Sequence, residues 1–220
     1  LGEIYLVKLD WLMGSRSDPK RAWNWYSLEE KGGGVIGALG THAFDILNWF
    51  FGESINVSGK LATSIKKRPL SNSSDLSDVT SEDVCLANIE ILNYSSNLIP
   101  CQVSLSSISK NGRGFSLEIY GSEGSLILKS ENQKDYVHGF NLKYSNNENK
   151  IQNLTADSIF NFEKTWSDGR IAPVLRIQNL WAESIFNKTP IIPGLCEGLA
   201  SHKVCEAIRE SSKSGFTIKI

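Results

Sequence analysis

Along residues 3–11, EIYLVKLDW, Tyr5, Val7, Leu9 and Trp11 alternate with charged Lys8 and Asp10, the period of two that belongs to a strand. From Gly34 to Phe51 the spacing changes. Ile36, Leu39, Ala43, Ile46, Leu47 and Phe50 recur at three and four, which predicts an amphipathic helix closed by Gly52. Strand-like runs follow at about 55–66, 83–93, 98–108, 115–120 and 125–129, separated by turn residues. Asn93 to Asn97 and Ser122-Glu123-Gly124 have hairpin chemistry, because Asn and Gly tolerate positive φ. The tract Ser71 to Asp75 reads as a loop.

Helical spacing returns near the end, with Val174, Ile177, Leu180, Trp181 and Ile185 within 173–187. A further helix is expected from about Gly194 to Lys213, on a stripe of Leu195, Leu199, Val204 and Ile208, ended by Gly215. Phe216 to Ile220 alternates as a last strand. Consecutive strands joined by tight turns imply antiparallel pairing. The pattern therefore predicts one α+β domain over residues 1–220. Its sheet would be open and mainly antiparallel, with five or six strands and helices on one face.

The chain has 220 residues, 23 basic and 24 acidic, with a net charge of -1 and 40% hydrophobic content. That balance supplies no electrostatic footprint for nucleic acid or an anionic membrane. Thr41, His42, Asp45 and Asn48 interrupt the longest apolar stretch, so it is no plain membrane span. Cys85, Cys101, Cys196 and Cys205 lie far apart and form no CxxC pair, so reduced, partly buried thiols are expected and no metal site. Asn-x-Ser/Thr triplets at Asn56, Asn72, Asn93, Asn153 and Asn187 accompany an Asn- and Ser-rich composition, and cytoplasm is the expected location. Because the chain opens at Leu1 directly on a strand-like alternation, a preceding segment is expected.

Gly32-Gly33-Gly34-Val35-Ile36-Gly37 satisfies G-x-G-x-x-G. A dinucleotide loop also needs a buried strand running into the turn and a βαβ unit around it. Here the preceding residues, Tyr26 to Lys31, are largely polar and the strands downstream read as hairpins. The glycines are expected instead to permit close approach of the helix start to another backbone.

His42 shares a helix face with Ala38, four residues before, and Asp45, three after. From the residues alone it is either a general acid/base or a helix histidine hydrogen-bonded to a carbonyl or to Asp45. Trp11, Arg16, Trp23 and Trp25 carry the same ambiguity, since aromatics and a guanidinium either line a sugar or polyol pocket or simply bury area.

The run from Gly32 to Asp45, followed by Trp49-Phe50-Phe51-Gly52-Glu53, resembles the GGG-xxx-D-xxx-H-xx-D segment of the glucose–fructose oxidoreductase / inositol dehydrogenase (Gfo/Idh/MocA) family. Val79 to Asp83 resembles that family's lead into a central strand, and Tyr120 to Leu126 its Gly-bearing hairpin. Pro193 to Gly198 and Glu206 to Ser211 resemble its terminal helix. The resemblance implies an N-terminal Rossmann domain, absent from these 220 residues, that binds NAD or NADP. It implies a C-terminal sheet domain that supplies most of the substrate pocket. His42 would be the catalytic residue, sharing the proton with a lysine of the other domain, and Trp11, Arg16 and Asp45 would contact a sugar- or polyol-like substrate. A homodimer, or a higher assembly, through the open sheet face is expected. Ala38 departs from the family's frequent aspartate. A carboxylate there would orient His42 and a substrate hydroxyl, which alanine does not, and the alternative is a non-catalytic relative that binds dinucleotide or sugar and regulates a partner.

Overall fold

A computed structural model describes residues 1–71, 73–130, 132, 138–146, 148 and 150–220; Asn72, within the expected loop, lies outside them. The alternation of the first residues becomes β1 (Ile4–Leu12). It is followed by β2 (Glu53–Ala62), β5 (Val84–Leu92), β6 (Leu98–Ser106), β7 (Gly114–Gly121) and β8 (Gly124–Ser130), as the sequence pattern predicts. A short ribbon of β3 (Lys67–Pro69) and β4 (Leu76–Asp78) lies between β2 and β5 in the chain. The sheet then grows by β9 (Asn141–Asn146) and β10 (Ile151–Leu154), and on its far edge by β11 (Ile218–Lys219).

Among the described residues the main sheet has nine strands in the order β10-β9-β8-β7-β1-β6-β5-β2-β11, more than the five or six expected. The addition has a physical reason. β9 and β10 read NLKYSN and IQNL, short and largely polar sequences, and they gain their strand form by pairing outward from the edge of β8, β9 on β8 and β10 on β9. Every pairing in the main sheet is antiparallel except β1 with β6, so the mainly antiparallel expectation holds.

One face of the sheet is the core. Val7, Leu9 and Trp11 of β1 line up with Cys101, Val103 and Leu105 of β6, and with Cys85, Ala87, Ile89 and Ile91 of β5 beyond. Over the β6-β5-β2 half lie α1 (Thr41–Phe51) and α3 (Leu195–Ser214), packed on each other. The opposite face alternates out to solvent, with Leu86, Asn88, Glu90, Pro100 and Gln102 exposed. Cys85, Cys101 and Cys205 are buried free thiols, each pushed up to about 12 by that burial, whereas Cys196 is exposed.

Two helical stripes differ from expectation. On α3 the buried residues are Ser201, Val204, Cys205, Ala207, Ile208 and Ser211, while Leu195 and Leu199 are exposed. On the first helix Val35, Ile36, Gly40, Ala43, Phe44, Leu47 and Phe51 go inside, and Leu39, Ile46 and Phe50 remain at or near the surface. The segment is apolar on nearly every side, so periodicity could not choose which stripe would face the sheet. The third helix, α2 (Ile171–Asn187), forms where helical spacing places it, but among the described residues neither the sheet nor the other helices pack along it. The expectation that both tail helices cover the sheet therefore holds for α3 alone. No helix among the described residues is long and apolar enough to cross a membrane.

Candidate functional site

The glycine run is explained by backbone crowding. A Cβ at Gly33 would lie 2.2 Å from the carbonyl oxygen of Tyr26, and one at Gly37 would lie 2.0 Å from that of Gly32. Gly34, at φ +88°, leaves a would-be Cβ 2.5 Å from the Glu82 carboxylate. The first helical N–H groups are already spent: Val35 donates to the Glu82 carbonyl at 3.0 Å and Ile36 to Glu82 Oε1 at 2.9 Å. An anion-binding helix start needs such donors free. Two 3₁₀ turns, Trp25–Ser27 and Glu29–Lys31, precede the glycines in place of a strand, and β2 after the helix pairs antiparallel with β5. Residues 32–37 thus bring backbones into contact, as expected, and do not fit a dinucleotide.

Glu82 was not singled out from the sequence, yet it positions the whole helix. It is buried, and burial pushes its carboxyl above the usual range, partly offset by the backbone N–H groups it accepts. Past that anchor the chain makes a π turn over Ile36–Gly40, in which Thr41 N–H donates to Ile36 O, five residues back. Turns of this type concentrate at functional sites. This one leads directly into His42, with Ala38 half-buried inside the turn.

His42 stands exposed on α1, its ring centroid 6.4 Å from that of Trp11 and tilted by 48°. Trp11 is buried at the end of β1 and meets Phe115 edge-on at 5.2 Å; Phe115 in turn meets Phe140. The Trp11 indole N–H is buried and finds no acceptor among the described residues. A buried donor left unpaired costs about 1–3 kcal/mol. Asp45, half-buried, has its carboxyl pushed up by burial and by the nearby charge of Glu197, and His42 draws it partly back. The structure therefore brings Trp11, His42 and Asp45 into one neighbourhood.

Arg16 packs over an aromatic ring. Its guanidinium lies 3.5 Å above the Tyr26 ring, and burial lowers its pKa. Arg68, buried on β3, donates to the carbonyls of Arg16 and Asp18, both at 2.7 Å, and Trp23 Nε1 donates to Asp78 O at 2.9 Å. The β3–β4 ribbon thus clamps the aromatic-rich connection after β1. Trp23 serves that clamp, and Trp25 is exposed. The roles of Glu82 and of Phe115 and Phe140 had no local signal, because each depends on a contact distant in sequence. Among the described residues no group of three His, Cys, Asp or Glu side chains could hold a metal.

An open sheet with one helix-covered face and a histidine exposed on the first helix define the described domain. The chain belongs to the oxidoreductase family as its C-terminal α/β domain, the family's model matching residues 1–220. It is 42% identical over 222 residues to an uncharacterized oxidoreductase of Synechocystis sp., covering all of this chain and 58% of that protein. Among solved structures it is similar to an NAD-binding oxidoreductase from Klebsiella pneumoniae (TM-score 0.81, 20% identity, 59% of that chain). It is also similar to levoglucosan dehydrogenase in complex with NADH and L-sorbose (TM-score 0.82, 18% identity, 59% of that chain). Each of these covers 100% of this chain, and at such identities the likeness is one of fold. The chain spans about three fifths of the length of the relatives it matches.

Proposed function

We propose that this chain is the substrate side of an NAD(P)-dependent oxidoreductase that moves hydride to or from a sugar- or polyol-like substrate. The dinucleotide-binding half lies outside these 220 residues. The observation that carries the reading is the exposed His42 imidazole beside the Trp11 ring. Nicotinamide, when bound, supplies or takes the hydride. His42 takes the hydroxyl proton as an alcohol becomes a carbonyl, or returns it in the reverse direction, a role for which imidazole is suited. The aromatic group around Trp11 offers an apolar wall to the C–H face of a sugar ring. Asp45, held near His42, is placed to orient the imidazole. Arg16 keeps its guanidinium N–H groups uncommitted among the described residues and contributes donors to substrate hydroxyls. L-Sorbose in the complex of levoglucosan dehydrogenase supports the substrate class.

Self-association through the open sheet face completes the reading. Leu86 is 53% exposed there, and faces of this kind commonly pair two-fold. Analytical ultracentrifugation reads it directly: sedimentation as a monomer at tens of micromolar rejects the pairing.

The decisive experiment uses the complete protein, with NAD(P) reduction assayed against sugars, anhydrosugars and polyols. His42→Ala is expected to lower kcat by about 10²–10⁴-fold with the melting temperature unchanged, because the side chain is exposed. Near-normal turnover in that variant removes His42 from the chemistry. Ligand binding without turnover in the wild-type protein favours instead a non-catalytic binding protein, the reading that Ala38 supports.

A further inference from the structure

Helix α2 has the side chains of a buried helix on a surface that nothing described covers. At 100° per residue, Val174, Ile177, Leu180, Trp181, Ile185 and Phe186 spread over well more than half of its circumference. They remain between 40% and 87% exposed. Only Arg176, Asn179, Glu183 and Asn187 form a continuous polar side. The chain's own neighbouring segment lies on that polar side. Arg176 donates to the carbonyls of Phe160 at 3.3 Å and Asn161 at 3.1 Å, and its guanidinium sits 3.9 Å over the Phe162 ring. An apolar arc of this extent on a helix calls for a partner, since most helical stability in proteins comes from packing an apolar face.

From this arrangement we infer that the apolar arc of α2 is the seat of the dinucleotide-binding half of the same polypeptide. The inference rests on the functional reading above and adds where that half docks.

Three observations select this occupant. First, α1 carries a second uncovered stripe, Trp49 and Phe50, on the same side as His42 and Asp45, and Trp49 is 71% exposed. Hydride transfer requires reacting atoms about 3–3.5 Å apart, so the body that carries nicotinamide must close on that stripe. Second, α2 ends at Asn187 and Glu197 lies in the first turn of α3, where its charge is felt at Asp45. The connection 188–194 can span at most roughly 25 Å, which keeps the end of α2 within that reach of the start of α3. A domain of about 100–150 residues is some 30–40 Å across and can cover both stripes at once. Third, the relatives continue beyond the matched part, this chain covering only 58% of the Synechocystis protein. A second copy already has the open sheet face available to it.

The test uses the complete protein with NAD bound, confirmed first by calorimetry. Gln178 lies in the middle of the apolar arc, and Gln178→benzoylphenylalanine places a photo-crosslinker there without touching the core. Irradiation followed by peptide mass spectrometry is expected to join position 178 to peptides outside residues 1–220 within one chain. The same label as Glu183→benzoylphenylalanine, on the polar side, is expected to join the 160–166 segment. Amides of 171–187 should exchange at least about tenfold more slowly than an unstructured peptide. A cross-link between two copies from position 178, or exchange at the unstructured rate, overturns the docking seat while leaving the NAD-dependent reading in place. Failure of the complete protein to bind NAD or NADP overturns the functional reading and this inference together.

Discussion

Helices α1 and α2 are both rich in apolar residues, and their environments are opposite. In α1 one stripe sinks Ala43, Phe44, Leu47 and Phe51 against the sheet and α3, and the turn before it is pinned by Glu82. In α2 only Ala172 is buried, and no side chain caps the N-terminus. The difference shows that apolar content alone does not decide burial. What decides is whether a complementary surface exists within the same fold, and for α1 the β6-β5-β2 half of the sheet provides it.

Substitutions can sharpen that contrast, beginning with the largest expected effect. Phe44→Ala removes a fully buried ring and is expected to cost about 3–5 kcal/mol in the chemical denaturation of this chain. Leu180→Ala on α2, 42% exposed, should stay within about 0.5 kcal/mol in the same measurement. A loss at Leu180 that approached the Phe44 value would erase the distinction between the two helices.

The glycine anchor comes next. Gly33→Ala forces a methyl to 2.2 Å from a backbone oxygen, and a loss of about 3 kcal/mol or an unfolded chain is expected. Tolerance of alanine there would mean that the turn has room the structure does not show.

Glu82→Ala leaves the buried Ile36 N–H unpaired and should cost about 1–3 kcal/mol, whereas Glu82→Gln keeps an acceptor and should cost far less. The pH dependence has a definite sign. Burial raises the Glu82 pKa above its ordinary 4.5 in the folded chain, so the folded state holds the proton more tightly than the unfolded one. This group's contribution is therefore full below 4.5 and is lost as pH rises through the raised folded value. Glu82→Gln should flatten that segment of the stability–pH curve, and an unchanged slope would assign it to another group.

The smallest expected effect is a gain. A Cβ at Gly198, within α3, meets nothing within 4 Å, so Gly198→Ala should stabilise by about 0.5–1 kcal/mol in thermal melts.

The residues alone determined the strand and helix periods, the hairpins at Asn93–Asn97 and Ser122–Gly124, and the role of the glycines as contact points. These depend on short-range rules, side-chain alternation and the φ preferences of Gly and Asn, and they survive any tertiary arrangement. His42, Trp11 and Asp45 were legible as candidates, since a polar residue on an apolar helix and an aromatic at a strand end stand out locally. Tertiary structure alone decided that Trp11 meets His42 while Arg16 turns to Tyr26. It alone made Glu82 the helix anchor, from 46 positions away. It also chose Phe44 and Phe51 over Leu39 and Phe50 for the core, and recruited the polar β9 and β10 to the sheet. The reason is common to all four: each outcome is a competition between surfaces far apart in the chain. Its winner is set by shape and by backbone donors that no local pattern encodes.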